Sequence, residues 1–229
     1  MSIRAKLYAA IALTILGPVA TTAVALHGMS QMGDRFDQAQ QRAQDESVAR
    51  ELKFAVTDVN GWQTAYGYDN GASRPIFVRS AAQLRKDLAL AGEELTEPHE
   101  KALLDRLQGE FNEFMRLDVI AYRELRNGNQ ERVRQLFLGP EIRNFQAMAT
   151  TSEVLAAYEA RRAEAADRDF TAARDDARKQ LIAVALGAGI VIILLLVTAQ
   201  DVARLALEGE RVAGRRRPDA DEDASDDPS

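Results

Sequence analysis

Cysteine is absent from the 229 residues and histidine occurs twice. Without thiols there is no disulfide framework, no zinc–thiolate site and no thiol nucleophile, and two histidines leave little for imidazole chemistry. Aromatic residues are scarce at 6%, with a single tryptophan. No long block of bases stands outside Arg215 to Arg217, and acids outnumber bases 35 to 29, which argues against a nucleic-acid partner. The chain contains neither a glycine-rich phosphate loop nor a serine nucleophile elbow. What is there, 46% apolar and 28% charged residues, suits a folded binding or structural protein, and no catalytic residue or cofactor is expected.

Two stretches depart from that average. Leu7 to His27 carries no formal charge, and Leu181 to Ala199 is almost wholly aliphatic or small. As helices of about 1.5 Å per residue, runs of this length match a hydrocarbon core of roughly 30 Å. The first run has a rival reading as a secretory signal, since Arg4 and Lys6 precede it and Ala23-Val24-Ala25 resembles a small-residue cleavage site. Its length favours an uncleaved anchor. Seven bases expected inside against six outside give a weak orientation bias; two spans put both termini on one side. The expectation is a two-pass plasma-membrane protein with a cytoplasmic tail at 1–6, spans at 7–27 and 181–200, an extracytoplasmic domain at 28–180 and a cytoplasmic tail at 201–229. From residue 218 that tail holds six acids and no base, and is expected to be disordered.

The outer segment reads as all-α. Leu52, Ala55, Val59, Trp62 and Tyr66 fall at alternating steps of three and four, as do Phe77, Ala81, Leu84, Leu88, Ala91 and Leu95. A third seam runs through Leu104, Leu107, Phe111, Phe114, Ala121 and Leu125, with Asp118 interrupting it, and a fourth through Phe145, Met148, Ser152 and Leu155. The breaks carry turn chemistry: Asp69 to Pro75, then Thr96-Glu97-Pro98 with Thr96 as the expected cap, then Asn127-Gly128-Asn129, and Gly139-Pro140 launching the last long helix. These pieces make an antiparallel up-down four-helix bundle on two transmembrane helices.

With this layout in hand, the chain resembles the four-helix-bundle sensor module of bacterial methyl-accepting chemotaxis receptors and related sensor kinases. The string DVNGWQTAYGYDN, Asp58 to Asn70, is similar to the end of the first sensor helix in such proteins, and LFLGPEIRNFQAM, Leu136 to Met148, to the start of the last. The resemblance covers roughly residues 1 to 200. Only 29 residues follow Gln200, so the sequence resembles a sensor without the linker and output domains of that family. The resemblance implies a membrane-bound chemoreceptor-like protein that binds a small ligand or partner, forms a homodimer and passes its signal to a separate full-length receptor or sensor kinase in the same membrane. Small residues four apart, Ala183 with Gly187 and Ala185 with Gly189, also permit close helix pairing in lipid. The alternative is a membrane-tethered structural or interaction module that senses nothing.

Candidate ligand-binding residues are Trp62 with Asn60, Gln63 and Tyr66 around it, and Arg74 beyond the helix end. Trp62 and Tyr66 lie on the seam, which favours core packing for both over ligand recognition. Gly61 and Gly67 lower helix propensity by about 1 kcal/mol each relative to Ala and point to a close approach or a bend. His99 sits among Glu93, Glu94, Glu97 and Glu100, but lacks a second strong ligand one helical turn away, so no metal site is expected.

Overall fold

A computed structural model describes residues 3–214 of the chain; the acidic stretch from residue 218 and Arg215 to Arg217 lie outside the described residues. Among the described residues every regular element is a helix: α1 (Ile3–Tyr68), α2 (Arg74–Glu94), α3 (Pro98–Arg126), α4 (Gln130–Leu136), a π-helical turn (Phe137–Glu141) and α5 (Ile142–Gly214). The chain divides into two compact units, one spanning Gly33–Ala172 and the other combining residues up to Met32 with those from Ala173 onward.

In the Gly33–Ala172 unit, four helices share one hydrophobic core. Leu52, Val56 and Val59 of α1, Phe77, Leu84 and Leu88 of α2, Leu104, Phe111 and Phe114 of α3, and Met148 and Leu155 of α5 form a continuous buried cluster. The seams of α2 and α3 are those expected from spacing. That of α1 is shifted: its buried positions are Asp45, Ala49, Leu52, Val56, Val59, Gln63 and Tyr66, a strict alternation of four and three. Val56 and Gln63 thus replace Ala55 and Trp62, which flank the core half-buried. The larger aliphatic group fills the interior at one step, and at the other an amide finds a buried partner.

The turns explain why the helices stop. Asn70 and Gly71 adopt left-handed backbone conformations, φ 56° and 94°, which asparagine and glycine tolerate best. Gly71 N–H donates to the Tyr66 carbonyl at 2.8 Å, tying off α1. Asp69 accepts from the Ser73 backbone N–H at 2.9 Å and from its hydroxyl, and Pro75 opens α2. At the next corner the cap is Glu97, not Thr96: Glu97 N–H donates to Glu100 Oε2 at 2.9 Å, an arrangement of the capping-box kind, while Thr96 is exposed. Gly128 turns the chain at φ 76° and Asn129 Oδ1 accepts from Arg132 N–H at 3.3 Å to start α4.

Gly139-Pro140 does not break the chain into separate helices. It sits inside the π turn, and α4 passes through it into α5. Proline removes one N–H donor and crowds the preceding turn; a turn widened by one residue relieves both.

In the other unit, Val24, Gly28 and Met32 of α1 and Ala177, Leu181 and Val184 of α5 line a cavity of about 260 Å³. A Cβ at Gly28 would stand 3.4 Å from Gln180 Oε1, in ordinary contact with that side chain. One described helix is long and apolar enough to cross a membrane. It contains an 18-residue window of mean hydropathy 3.0, none of it buried, in keeping with the outward exposure of Ile190, Ile193 and Leu196. The Leu7–His27 run lies in α1 and has many side chains outside the described residues.

Candidate functional site

At the end of the Gly33–Ala172 unit where α1 hands over to α2, the interior becomes polar. Asp118, which interrupts the apolar repeat of α3, is fully buried. Burial of a carboxylate is costly unless its charge is matched, and here four donors converge on it. Arg74 forks both carboxylate oxygens at 2.5 and 2.6 Å, the Tyr66 hydroxyl donates to Oδ1, and Gln63 Nε2 approaches at 3.4 Å. The tight turn at Asn70-Gly71 sets Arg74 as the first residue of α2, and thereby aims it inward.

The guanidinium is enclosed by rings. Its central carbon lies 4.4 Å from the Tyr122 ring centroid, 4.6 Å from Phe77 and 4.8 Å from Tyr66. Tyr66 packs edge-on to Phe77 at 5.4 Å and to Tyr122 and Phe137 at 6.0 Å. Cation–aromatic attraction strengthens as water is excluded, so this shell holds the charge that Asp118 requires. Burial and the adjacent carboxylate push the Tyr66 hydroxyl far above its ordinary range, which keeps it a donor.

Beside this network lies a cavity of about 490 Å³, walled by Asn60, Gln63 and Thr64 of α1, Val133 and Arg134 of α4, Phe137, Leu138 and Glu141 of the π turn, and Ile142. That volume falls in the range of small-molecule sites. Gly67 faces it too, and here the helix favours glycine: a Cβ would run into the Phe137 ring. Gly61 has open space instead.

Glu141 is the unmatched group of the site. It is 1% exposed, and neither carboxylate oxygen has a hydrogen-bond partner among the described residues. Burial, with repulsion from Asp118 added and Arg74 opposing, pushes its carboxyl up to about 8.

The structure gathers most of the expected site residues but divides their roles. Gln63, Tyr66 and Arg74 converge on Asp118, and Asn60 and Gln63 line the cavity. Trp62 stands apart: its indole N–H donates to Asp58 Oδ1 at 3.0 Å, and the Ser80 hydroxyl donates to the same carboxylate. Asp118 and Glu141 were missed by spacing arguments. A lone acid inside an otherwise apolar seam was the available signal for Asp118; nothing comparable marked Glu141.

A second polar cluster occupies the corner between α2 and α3. Arg42 pairs with Glu97 at 2.9 Å and Asp45 at 3.1 Å, and Arg162 pairs with Glu97, Glu100 and Glu159. Burial, then the nearby Glu100, pushes Glu159 up to about 7. Two arginines matched to four acids, each acid within reach of a guanidinium, read as an internal clasp between α1, α3 and α5. His99 packs on Tyr158 at 4.7 Å, and among the described residues no group of three or more His, Asp or Glu side chains is placed to hold a metal ion. No known protein family, curated protein or solved structure matches the chain.

Proposed function

We propose that this chain is a membrane-bound, chemoreceptor-like sensory protein, in which an antiparallel up-down bundle outside the bacterial plasma membrane binds a small ligand and signals to a separate output protein. One observation carries the reading: a cavity of ligand size lies against the Asp118–Arg74 network and an unpaired buried carboxylate. A purely structural helical core has no use for that arrangement, because apolar residues of similar volume stabilise an interior as well or better. In this reading the protein crosses the membrane twice, at 7–27 and 181–200, with both termini cytoplasmic. It is a homodimer through the second span, and the resemblance of Asp58–Asn70 and Leu136–Met148 to sensor-module strings supports the assignment.

Ligand occupancy biases one of two helix arrangements. Helix α5 contains both Ile142, at the cavity, and the apolar run from Leu181, so a displacement at one is imposed on the other through continuous backbone. The short segment after Gln200 passes the change to a full-length receptor or sensor kinase. The test is a thermal-shift screen of small metabolites on the full chain in lipid nanodiscs, followed by affinity purification from native membranes. A stabilising compound, together with recovery of a receptor dependent on residues 181–217, supports the proposal. If no compound shifts the melting temperature and the protein purifies alone, the structural-module alternative replaces it.

A further inference from the structure

The sensory reading leaves the ligand class open, and the charge balance of the cavity narrows it. Glu131 and Arg134 at its rim pair with each other at 2.9 Å. Asp118 is neutralised by Arg74 behind the wall. That leaves Glu141 as the one cavity-lining ionisable group without a hydrogen-bond or ion-pair partner among the described residues. We infer that the cavity takes a small organic ammonium ion with an apolar tail, its charged head pairing with the Glu141 carboxylate. The inference rests on the sensory reading above.

Three features favour such a ligand. The buried oxygens of Glu141 have no hydrogen bond to give up on pairing with a ligand, and Glu141 is among the residues that line the cavity. Val133, Phe137, Leu138 and Ile142 give the lining an apolar part, and Leu138, 71% exposed, offers a hydrocarbon tail an apolar contact. The Phe137 ring adds an aromatic face for a cation. A carboxylate ligand would meet an acid with no free base beside it, because the Arg74 fork is already occupied.

Binding an ammonium requires the ionised form of Glu141. The groups that face it are Asp118 of α3, Arg74 of α2 and Tyr66 of α1, with Glu131 and Arg134 of α4 at the rim; of these Asp118 repels the ionised form and Arg74 attracts it. Since Glu141 releases its proton only near pH 8, amine affinity rises with pH until that point. The gain is roughly 25-fold between about pH 6.5 and pH 8.5.

The test is calorimetry on the full chain in nanodiscs, with phenethylamine as probe and phenethyl alcohol and hydrocinnamate as matched neutral and anionic controls. Expected are saturable binding of the amine alone, the stated rise with pH, and a loss of at least about tenfold on Glu141→Gln with the pH dependence abolished. Thr64→Trp, on the exposed side of the wall, should block the cavity without touching the buried network and eliminate binding. Equal binding of alcohol or acid overturns the amine assignment but spares the sensory reading. Wild-type amine affinity in Glu141→Gln or in Thr64→Trp removes the cavity from consideration, and absence of binding by all three probes refutes the amine class. The metabolite screen then judges sensing independently.

Discussion

Asp118→Ala offers the sharpest test of the buried network. The substitution leaves Arg74 without either of its charge-assisted bonds while its side chain, 15% exposed, remains enclosed by Tyr66, Phe77 and Tyr122. Orphaning one partner of a buried pair costs about 3–5 kcal/mol; the partial water access that Arg74 retains places it near the lower end. The stranded Tyr66 hydroxyl adds about 1 kcal/mol, for a total of about 4 kcal/mol. In a unit of this size that corresponds to a fall in Tm of roughly 10 °C. Circular-dichroism melts of the full chain in detergent provide the assay. The double variant Arg74→Met/Asp118→Leu removes both charges and keeps the volume, so it should recover most of the loss. A wild-type Tm for Asp118→Ala, or a double variant no more stable than the single one, would refute the view that matched charge holds this end together.

Glu141 and Glu159 set the pH response. Glu141 titrates near 4.5 when unfolded and near 8 when folded, so between these values the unfolded chain has lost a proton that the native one retains. Stability therefore declines from about pH 4.5 to about pH 8 and then levels; Glu141→Gln should flatten the fall and raise Tm at pH 8, leaving a shallower slope below about pH 7 from Glu159. Gly67→Ala should cost about 1–2 kcal/mol because Phe137 must move, whereas Gly61→Ala should stabilise by about 0.5–1 kcal/mol; paired urea titrations distinguish the two. For topology, a reporter active only outside should work when fused near Asn127 and be silent after Ser229, with activity of both fusions counting against a two-pass anchor. Single cysteines placed from Ala183 to Val197 should cross-link with helical periodicity, and uniformly absent cross-links would exclude dimer pairing through this face.

Helix type and most seams were legible because apolar spacing of three and four leaves little ambiguity. Phe77 through Leu95 and Leu104 through Leu125 fall on the interior as spacing requires. The α1 register was not, since Ala55 and Trp62 satisfy the same period as Val56 and Gln63, and the buried partner that Gln63 finds, Asp118, lies on another helix. The site was half legible for the same reason. Tyr66 and Arg74 drew notice as an aromatic and a base near a turn, but Asp118 is 44 residues from Arg74, and local pattern carries no record of such a partner. Glu141 sits beside Gly139-Pro140, where the strong breaker signal reads as a chain interruption and conceals a carboxylate carried into the interior.

The π turn has an effect on phase. At about 100° per residue, the twelve residues from Leu136 to Met148 would leave those side chains about 120° apart on an unbroken α-helix, one facing inward and the other not. Inserting a single residue subtracts about 100° and brings them to within about 20°, which is why Leu136 and Met148 are both buried. The segment is thus one residue longer than an uninterrupted helix with the same inner face would need. A relative lacking that residue would keep every interior side chain in place with an ordinary helix here, so a one-residue gap at 137–141 in such an alignment would mark a conserved core and not a lost one.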